Sequence, residues 1–446
     1  IFHIHKDKML NCNSYMGDKN NKKLDLKESI SLVVGNMIGA GIFMLPASLA
    51  KFGSISIFGW VISGFGAILI ALIFKRLSQK FPGKSGPFHY TKEGFGEFLG
   101  FFVVWGYWVS ILLTNAGLAI AITSYSGVLF PILQNNIQSI MFSIFVIIVI
   151  AIINNYGIKA AGKFQLVTSI LKILPLLLTI VIAFFVFNTD HFITLNTSGE
   201  SNFNALTATA ALTFFAFMGI ESATIPAEGT HNPSKTIPKA TMIGSILTIC
   251  IYLFSSIALM GIISPIELAN STAPFADATG IVLGNIGKNI VAIFAIIAAI
   301  GALNGWTLLQ AEIPKSLAQE GLLGSSFKEL NKKNVPSKGL FITSSLVCAL
   351  ILLNYSKGLV DIFTFLILTG TFCALILYLF TSLSEILILI KQKKPMINFI
   401  QPLLLALPAF GFTLWMIIGT GGESIFYGIL LLSISIPIYI YYKKIA

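Results

Sequence analysis

Long runs of apolar residues, separated by short polar segments, dominate this sequence. Twelve runs have roughly the 20 residues that an α-helix needs to cross the hydrocarbon core of a bilayer. They lie near residues 29–50, 54–74, 94–129, 138–155, 163–187, 204–227, 238–263, 279–312, 339–354, 359–384, 398–419 and 423–442. The third and eighth runs are longer than a bilayer requires, and we expect them to tilt or to extend beyond it. The pattern predicts an all-α integral membrane protein with twelve transmembrane helices.

The composition agrees with this pattern. Of the 446 residues 55% are hydrophobic and 11% are charged, whereas an ordinary soluble domain is about 25% charged. So few charges cannot cover the surfaces of a soluble enzyme, and no nucleophile, base or nucleotide-binding motif suggests an enzyme of the membrane. The cysteines lie far apart, so we expect neither a disulfide framework nor a metal or cofactor site. They are Cys12, Cys250, Cys348 and Cys373.

The basic residues orient the predicted spans. Of the 29 Lys and Arg residues, 25 lie in the N-terminal tail or in segments that follow an even-numbered span. Positive charge marks the cytoplasmic side of a membrane protein, so both termini are expected to be cytoplasmic. The chain then divides into a polar tail (1–27), a transporter core of ten spans (28–390) and two further spans with a short C-terminus (391–446). The net charge of +11 gives no argument for nucleic acid, because these lysines lack interleaved aromatic residues.

Two of the predicted spans carry matching Gly and Pro interruptions. Span one has Gly39 and Pro46, and span six has Gly219 and Pro226, seven residues apart in both cases. The spans lie five apart, so the two halves of the core would enter the membrane with opposite topology. Such paired interruptions are typical of transporters built as five-plus-five inverted repeats with broken helices. Gly and Pro are also common in ordinary membrane helices, but the shared position and spacing favour the repeat.

Broken helices suit an amino acid substrate. Unwound backbone is tolerated at membrane depth only where it lines a cavity or meets a ligand. The N-terminus of a half-helix attracts a carboxylate, and the C-terminus attracts an ammonium group. The sequence thus predicts a carboxylate site at Ala40 and Gly41, and an amino-group site near residues 218–220.

Glu221, at the second interruption, is the one acidic residue deep within the apolar runs. A charge in the bilayer is costly, so this residue is a functional candidate that could titrate or act as a gate. A permanently protonated structural residue is the alternative. Glu312 and Glu385 lie near the cytoplasmic ends of their spans, where we expect them to be solvated.

Two further groups of residues could face a substrate. Trp306 lies in mid-span beside Gly305, where an indole ring could stack on a cation or simply pack in the bundle. Tyr107, Ser110 and Asn115 share a helical face of span three. This polar stripe could line a substrate path or bond to another helix, and the sequence leaves both readings open.

Several of these segments together resemble a known family. Residues 34–46 (VGNMIGAGIFMLP) resemble the first-span signature of the amino acid–polyamine–organocation (APC) superfamily. Residues 217–222 (FMGIES), followed by Asn232-Pro233 and Ile237-Pro238, resemble its sixth-span signature. Residues 305–309 (GWTLL) are similar to span eight of its basic amino acid/polyamine antiporter branch.

The resemblance implies a homodimer in the cell inner membrane that exchanges an external basic amino acid, such as arginine, for its internal decarboxylated amine, such as agmatine. Each cycle would then export a proton equivalent. By position in the motifs, the resemblance implies a gate at Tyr107 and a pH-sensitive gate at Glu221. It implies substrate binding by Met37, Ile38, Ala40, Gly41, Ser110, Ile111, Asn115, Phe215, Met218, Gly219, Ile220, Trp306 and Val360.

The chain departs from the pattern of that branch at four positions. The superfamily usually has Ser where Ala40 stands, and arginine/agmatine exchangers have Trp in place of Phe215, Cys in place of Ile111 and Ser near Val360. Polar contacts to a buried ligand enforce discrimination between substrates. A proton-coupled symporter of neutral or broad-range amino acids therefore stays open beside the exchanger, as does a sensor or channel without coupled turnover.

Overall fold

The computed structural model describes residues 24–81, 86–156, 161–224, 230–353 and 358–445, without the side chains of residues 40, 87, 161–170 and 445. Of the residues that the structure describes, 85% are helical. Its α-helices are α1 (Leu26–Met37), α2 (Ala40–Ala50), α3 (Ile55–Lys80), α4 (Gly86–Phe95), α5 (Glu97–Leu129), α6 (Asn136–Asn155), α7 (Ala161–Val186), α8 (Asn202–Phe215), α9 (Pro233–Ile262), α10 (Pro265–Asn270), α11 (Pro274–Gln319), α12 (Ser337–Leu352), α13 (Leu359–Lys391), α14 (Ile400–Gly419), α15 (Gly422–Ser433) and α16 (Ser435–Ile445).

These helices confirm the all-α membrane class. Within the described ranges, ten helical segments are long and apolar enough to cross a bilayer, and two shorter apolar helices coincide with the predicted fifth and ninth spans. The predicted eighth span belongs to α11, which is bent at Gly284, where φ is +60°. A residue other than glycine adopts that conformation only with strain. The extra length of this run is thus accommodated by a bend. Of the predicted tail 1–27, residues 1–23 lie outside the described residues.

The first predicted interruption is a break between α1 and α2. Asp25 caps α1, because its side chain accepts a hydrogen bond from the Glu28 amide (2.8 Å) while Glu28 accepts one from the Asp25 amide (2.9 Å). Helical geometry then stops at Met37 and resumes at Ala40. The intervening Ile38 and Gly39 have extended or irregular backbone angles. Span one is therefore two half-helices that meet inside the protein.

The second interruption follows α8. This helix ends at Phe215, and a short 3-10 helix, Ile220–Thr224, continues the chain. Between them Gly219 has φ +106°, a conformation that L side chains rarely adopt. Pro226, the other half of the predicted signal, lies outside the described residues. Among the described residues of this break, Gly219 is the one with a left-handed backbone conformation.

The bundle packs around α5 and α13. The long helix α5 contacts α11 and α13, while α3 packs against α8 and α9, and α1 packs against α7 and α9. The two breaks lie among these helices, in the buried interior. Apolar residues at the periphery, on α6, α7, α14 and α15, are exposed, as expected for helices that face lipid.

We use the term lysine-rich face for the end of the bundle that carries the end of α3, helix α4 and the start of α9. Here Glu385 accepts hydrogen bonds from Arg76 Nε (2.9 Å) and Nη2 (3.0 Å), and it also pairs with Lys80 (3.2 Å). Glu385 is buried, so the expectation that it would be solvated was wrong. The guanidinium group satisfies both carboxylate oxygens, which makes its burial tolerable. Glu312 is half-buried and pairs with Lys315.

Candidate functional site

A cavity lies between the two broken helices. The space between its lining atoms amounts to about 290 Å³, which includes space open to solvent. Its lining comes from both breaks and from α5 and α11. The lining residues are Asn36, Met37, Gly39, Gly41, Thr114, Leu118, Phe215, Ala216, Met218 and Trp306. The lining is mostly apolar, and the exposed backbone at the breaks supplies polar groups.

The two breaks are in direct contact beside this cavity. Asn36 donates a hydrogen bond from Nδ2 to the hydroxyl of Ser222 (2.9 Å). A Cβ atom at Gly219 would lie 3.3 Å from the carbonyl carbon of Asn36. The glycine thus provides both the unusual backbone angle and room for the first break. The two breaks therefore form one contiguous structural unit beside the cavity.

Helix ends give the cavity its electrostatic character. The N-terminus of α2 begins at Ala40 with no side-chain cap, so its first backbone N–H groups remain available to an anion. The C-termini of α1 and α8 bring partial negative charge to the same cavity. Tyr252 donates to the carbonyl oxygen of Met37 (2.6 Å), so that oxygen is already engaged. The arrangement suits a ligand that carries a carboxylate and an ammonium group on neighbouring atoms.

A carboxylate closes the cavity toward the lysine-rich face. Glu221 is fully buried and accepts a hydrogen bond on each oxygen, from Tyr107 of α5 (2.5 Å) and from Tyr378 of α13 (2.7 Å). An ionised carboxylate can only accept hydrogen bonds, and this geometry uses both of its oxygens as acceptors. We call these three residues the carboxylate gate, after the role that is proposed for them below. Tyr378, 157 positions from Glu221, was not singled out in the sequence.

Residues 24–439 match the family model described as amino acid permease. The chain belongs to the amino acid permease family. It is accordingly a transport protein of the membrane and not an enzyme.

Named relatives of this permease are exchangers. It is 31% identical to the arginine/agmatine antiporter of Chlamydia pneumoniae over 444 residues, which cover 95% of this chain and 90% of that one. It is 30% identical to the arginine/ornithine antiporter of Pseudomonas aeruginosa (85% and 81% of the two chains). It is also 30% identical to the cadaverine/lysine antiporter of Escherichia coli K12 (74% and 75%). These relationships confirm the superfamily resemblance and support antiport.

On the opposite side of the cavity, the permease is closed by neutral contacts. Tyr125 of α5 donates a hydrogen bond to the carbonyl oxygen of Phe43 in α2 (2.9 Å), and its own oxygen accepts from the Phe275 amide (3.3 Å). The ring of Phe43 packs edge-on against both Tyr125 and Phe275. The ring of Phe215 makes a similar contact with Phe363. We call the group of Phe43, Tyr125 and Phe275 the aromatic gate.

A buried lysine supports the first break from behind. Lys172 of α7 is fully buried, and its Nζ donates to the carbonyl oxygen of Gly35 (2.8 Å). Among the described residues, no carboxylate forms an ion pair with it. An ammonium group at the C-terminal end of α1 complements the partial negative charge of that helix end. Lys172 lies inside the predicted fifth span and was given no role from the sequence, although an intramembrane lysine is itself a functional signal.

The residues proposed from the sequence fall into two groups. Those that line the cavity are Met37, Gly41, Phe215, Met218 and Trp306. Those that do not line it are Ile38, Tyr107, Ser110, Ile111, Asn115, Gly219, Ile220, Glu221 and Val360. The side chain of Ala40 lies outside the described residues. Val360 lies in the first turn of α13, away from the breaks.

The polar stripe of α5 bonds largely to other groups of the protein. The Ser110 hydroxyl donates to the carbonyl oxygen of Tyr107 (2.7 Å), and Trp108 Nε1 donates to the carbonyl oxygen of Gln310 (3.0 Å). Asn115 reaches α11 as well. These contacts include one bond within α5 and bonds to α11, and a role of the stripe in a substrate path stays a prediction.

Cavity residues that the sequence reading did not propose as ligands were Asn36, Gly39, Thr114, Leu118 and Ala216. Three of them neighbour proposed residues within the two breaks, so the signal that marks a break also marks them. Thr114 and Leu118 lie in an uninterrupted helix with no local signal. Only packing against α11 turns that face of α5 toward the cavity.

Proposed function

We propose that this permease is an antiporter that exchanges an external basic amino acid for an internal decarboxylated amine, with arginine and agmatine as the leading pair. The observation that carries the proposal is the cavity between the breaks, in which an uncapped helix N-terminus and the indole ring of Trp306 both take part. Relatives named as exchangers of arginine, lysine, ornithine, agmatine and cadaverine support the same substrate class.

In this proposal the amino acid end of the substrate binds at the breaks. Its carboxylate accepts hydrogen bonds from the first amides of α2, at Ala40 and Gly41. Its ammonium group donates to free carbonyl oxygens at the ends of α1 and α8, between Met37 and Met218. The cationic side chain extends toward Trp306, whose ring face attracts a guanidinium group. The amine product lacks the carboxylate and therefore loses the contact with α2.

Exchange then proceeds by alternating access around this fixed site. The carboxylate gate and the aromatic gate open in turn, and the coupled breaks transmit the movement. Decarboxylation replaces the substrate carboxylate by hydrogen, which consumes one proton from the interior. Importing arginine and exporting agmatine therefore removes one proton equivalent in each cycle. We place the lysine-rich face in the cytoplasm, since positive loops remain inside. The protein would be a homodimer in the inner membrane.

The test is uptake of labelled arginine into proteoliposomes, with and without internal agmatine, at pH 5 and pH 7. Uptake that requires internal agmatine supports the exchanger. Equal uptake into empty and agmatine-loaded vesicles contradicts it. Vesicles loaded with a neutral amino acid control for nonspecific effects of internal solute.

One observation favours a second function, a proton-coupled symporter of neutral or broad-range amino acids. Lys172 places a titratable group against the carbonyl oxygen of Gly35, and loss of its proton would remove the positive charge that complements the end of α1. A symporter would accumulate substrate in empty vesicles when an inward proton gradient is imposed. An exchanger would not, so the same vesicles distinguish the two functions.

A further inference from the structure

A chain of polar side chains crosses three helices beside the cavity. Asn115 of α5 donates a hydrogen bond from Nδ2 to Oε1 of Gln310 in α11 (2.7 Å). Gln310 in turn donates from Nε2 to the hydroxyl of Ser344 in α12 (3.0 Å). All three side chains are buried. Buried amides joined in this way hold each other's orientation, because turning one over would place donor against donor or acceptor against acceptor.

One oxygen atom in this network of three side chains has no hydrogen-bond partner among the described residues. Asn115 Oδ1 is buried, and no hydrogen-bond donor among the described residues reaches it. An unsatisfied buried oxygen costs about 1 to 3 kcal/mol, so one that persists calls for an explanation. The explanation we favour is that Oδ1 serves a donor on a ligand.

Asn115 does not itself line the cavity, but its neighbours on α5 do. Thr114, which precedes Asn115, lines the cavity, and so does Leu118, one turn further along α5. Trp306 lines it from α11 and lies one turn before Gln310, on the same face of that helix. The Asn115–Gln310 hydrogen bond therefore spans the α5–α11 interface at the end of the cavity where Trp306 lies.

We propose that Gln310 is a positioning residue that sets the charge preference of the site. It holds the Asn115 side chain so that the carbonyl oxygen of Asn115, rather than the NH₂ group of Asn115, is available to the distal end of the substrate. The inference rests on the proposed function. A guanidinium group presents only N–H donors and would satisfy this oxygen. Citrulline, the neutral isostere of arginine, carries a carbonyl oxygen in place of one NH₂ group. In one orientation it would bring oxygen against oxygen, and in the other it would offer a weaker, uncharged donor.

The test is a binding competition on the purified full-length protein. Unlabelled arginine and citrulline each displace labelled arginine, and the ratio of their inhibition constants measures charge preference. In Gln310→Met, which keeps the shape and removes the hydrogen bond, we expect the preference for arginine to fall about tenfold, the value of one charge-assisted hydrogen bond. In Gln310→Glu, whose carboxyl oxygens still accept from Asn115 Nδ2, we expect the preference to be retained or increased.

The two variants separate positioning from packing. If Gln310 only fills space, the methionine variant keeps the ratio and the glutamate variant disturbs it, which would overturn the proposal. A matched control is Asn304→Leu on the same helix, which breaks an amide–amide hydrogen bond to Asn154 (2.9 Å) that no cavity residue shares. We expect this control to leave the ratio unchanged.

The wild-type protein distinguishes failure of this inference from failure of the proposed function. If it binds arginine and citrulline equally, the positioning role is wrong, while exchange can still be demonstrated in vesicles. If it binds neither compound, the proposed substrate class is wrong and the inference falls with it.

Discussion

The carboxylate gate predicts how one hydroxyl group controls access to the cavity. In Tyr378→Phe, Glu221 loses one of its two phenol donors while the ring and its packing remain. A hydrogen bond to a charged group is worth about 1.5 to 3 kcal/mol. We take this hydrogen bond to form only in the state that is closed toward the lysine-rich face. Its loss then shifts the closed-to-open equilibrium toward the open state by roughly 10- to 150-fold, since about 1.4 kcal/mol corresponds to a factor of ten.

Cysteine accessibility measures this shift. A cysteine is introduced at Met218, which lines the cavity next to the gate, in a background where the four native cysteines are replaced by alanine. The rate of its alkylation by a membrane-impermeant thiol reagent is measured in membrane vesicles of each orientation. In Tyr378→Phe we expect the rate from the lysine-rich face to rise by at least tenfold.

Tyr125→Phe provides a matched control because it is the same substitution at the aromatic gate. It removes two hydrogen bonds to neutral groups, one donated to the carbonyl oxygen of Phe43 and one accepted from the Phe275 amide, each worth about 0.5 to 1.5 kcal/mol. We expect it to raise the alkylation rate from the opposite face only. An unchanged rate in Tyr378→Phe, or the same response in both variants, would refute the assignment of Glu221 to a gate. Size-exclusion profiles check that each variant folds.

Three further substitutions test the site. Gly219→Ala forces φ +106° on an L residue and crowds the Asn36 backbone, so we expect the free energy of unfolding to fall by about 1 to 3 kcal/mol. A lower midpoint temperature in a thermal unfolding assay would report this loss. Trp306→Leu removes the ring proposed to stack on a cation, and arginine binding should weaken about tenfold, while equal affinity would argue for a packing role alone. Lys172→Met deletes the bond to Gly35, so initial exchange rates in proteoliposomes should fall at least tenfold.

Much of the fold followed from local signals in the sequence. Hydropathy located the spans because each must satisfy its backbone within an apolar medium. The breaks were located because Gly and Pro interrupt both spans at the same spacing, and at Gly219, with φ +106°, an L side chain would be strained and crowded. The burial of Glu385 was missed because its partner, Arg76, lies 309 positions away and nothing near either residue marks the pairing.

The site was less predictable for the same reason. Tyr378, Gln310 and Lys172 lie in regular helices, where their neighbours in sequence resemble those of any buried polar residue. Their importance arises from partners on other helices, and only the assembled bundle brings these together. Glu221 could be singled out because a lone acid in an apolar run is costly wherever it packs.

The two gates differ in chemistry, and this difference predicts where pH acts. Protonation of Glu221 turns one acceptor oxygen into a donor, so one of the two phenol hydrogen bonds must break or reverse. The aromatic gate contains no carboxylate, and the ion pair nearest to it in sequence, Asp277 with Lys288, is partly exposed and therefore weak. Acid should thus loosen the gate toward the lysine-rich face and leave the other gate unchanged.

Glu221→Gln tests this asymmetry, because an amide resembles the protonated acid in offering one acceptor and one donor group. In the alkylation assay with the Met218 cysteine, we expect the wild-type gate to become more accessible from the lysine-rich face as pH falls. The glutamine variant should be accessible at every pH, with no dependence beyond that of the reagent itself. If the variant keeps the pH dependence of the wild type, the proton acts at another residue, and Lys172, buried against the first break, is the next to replace.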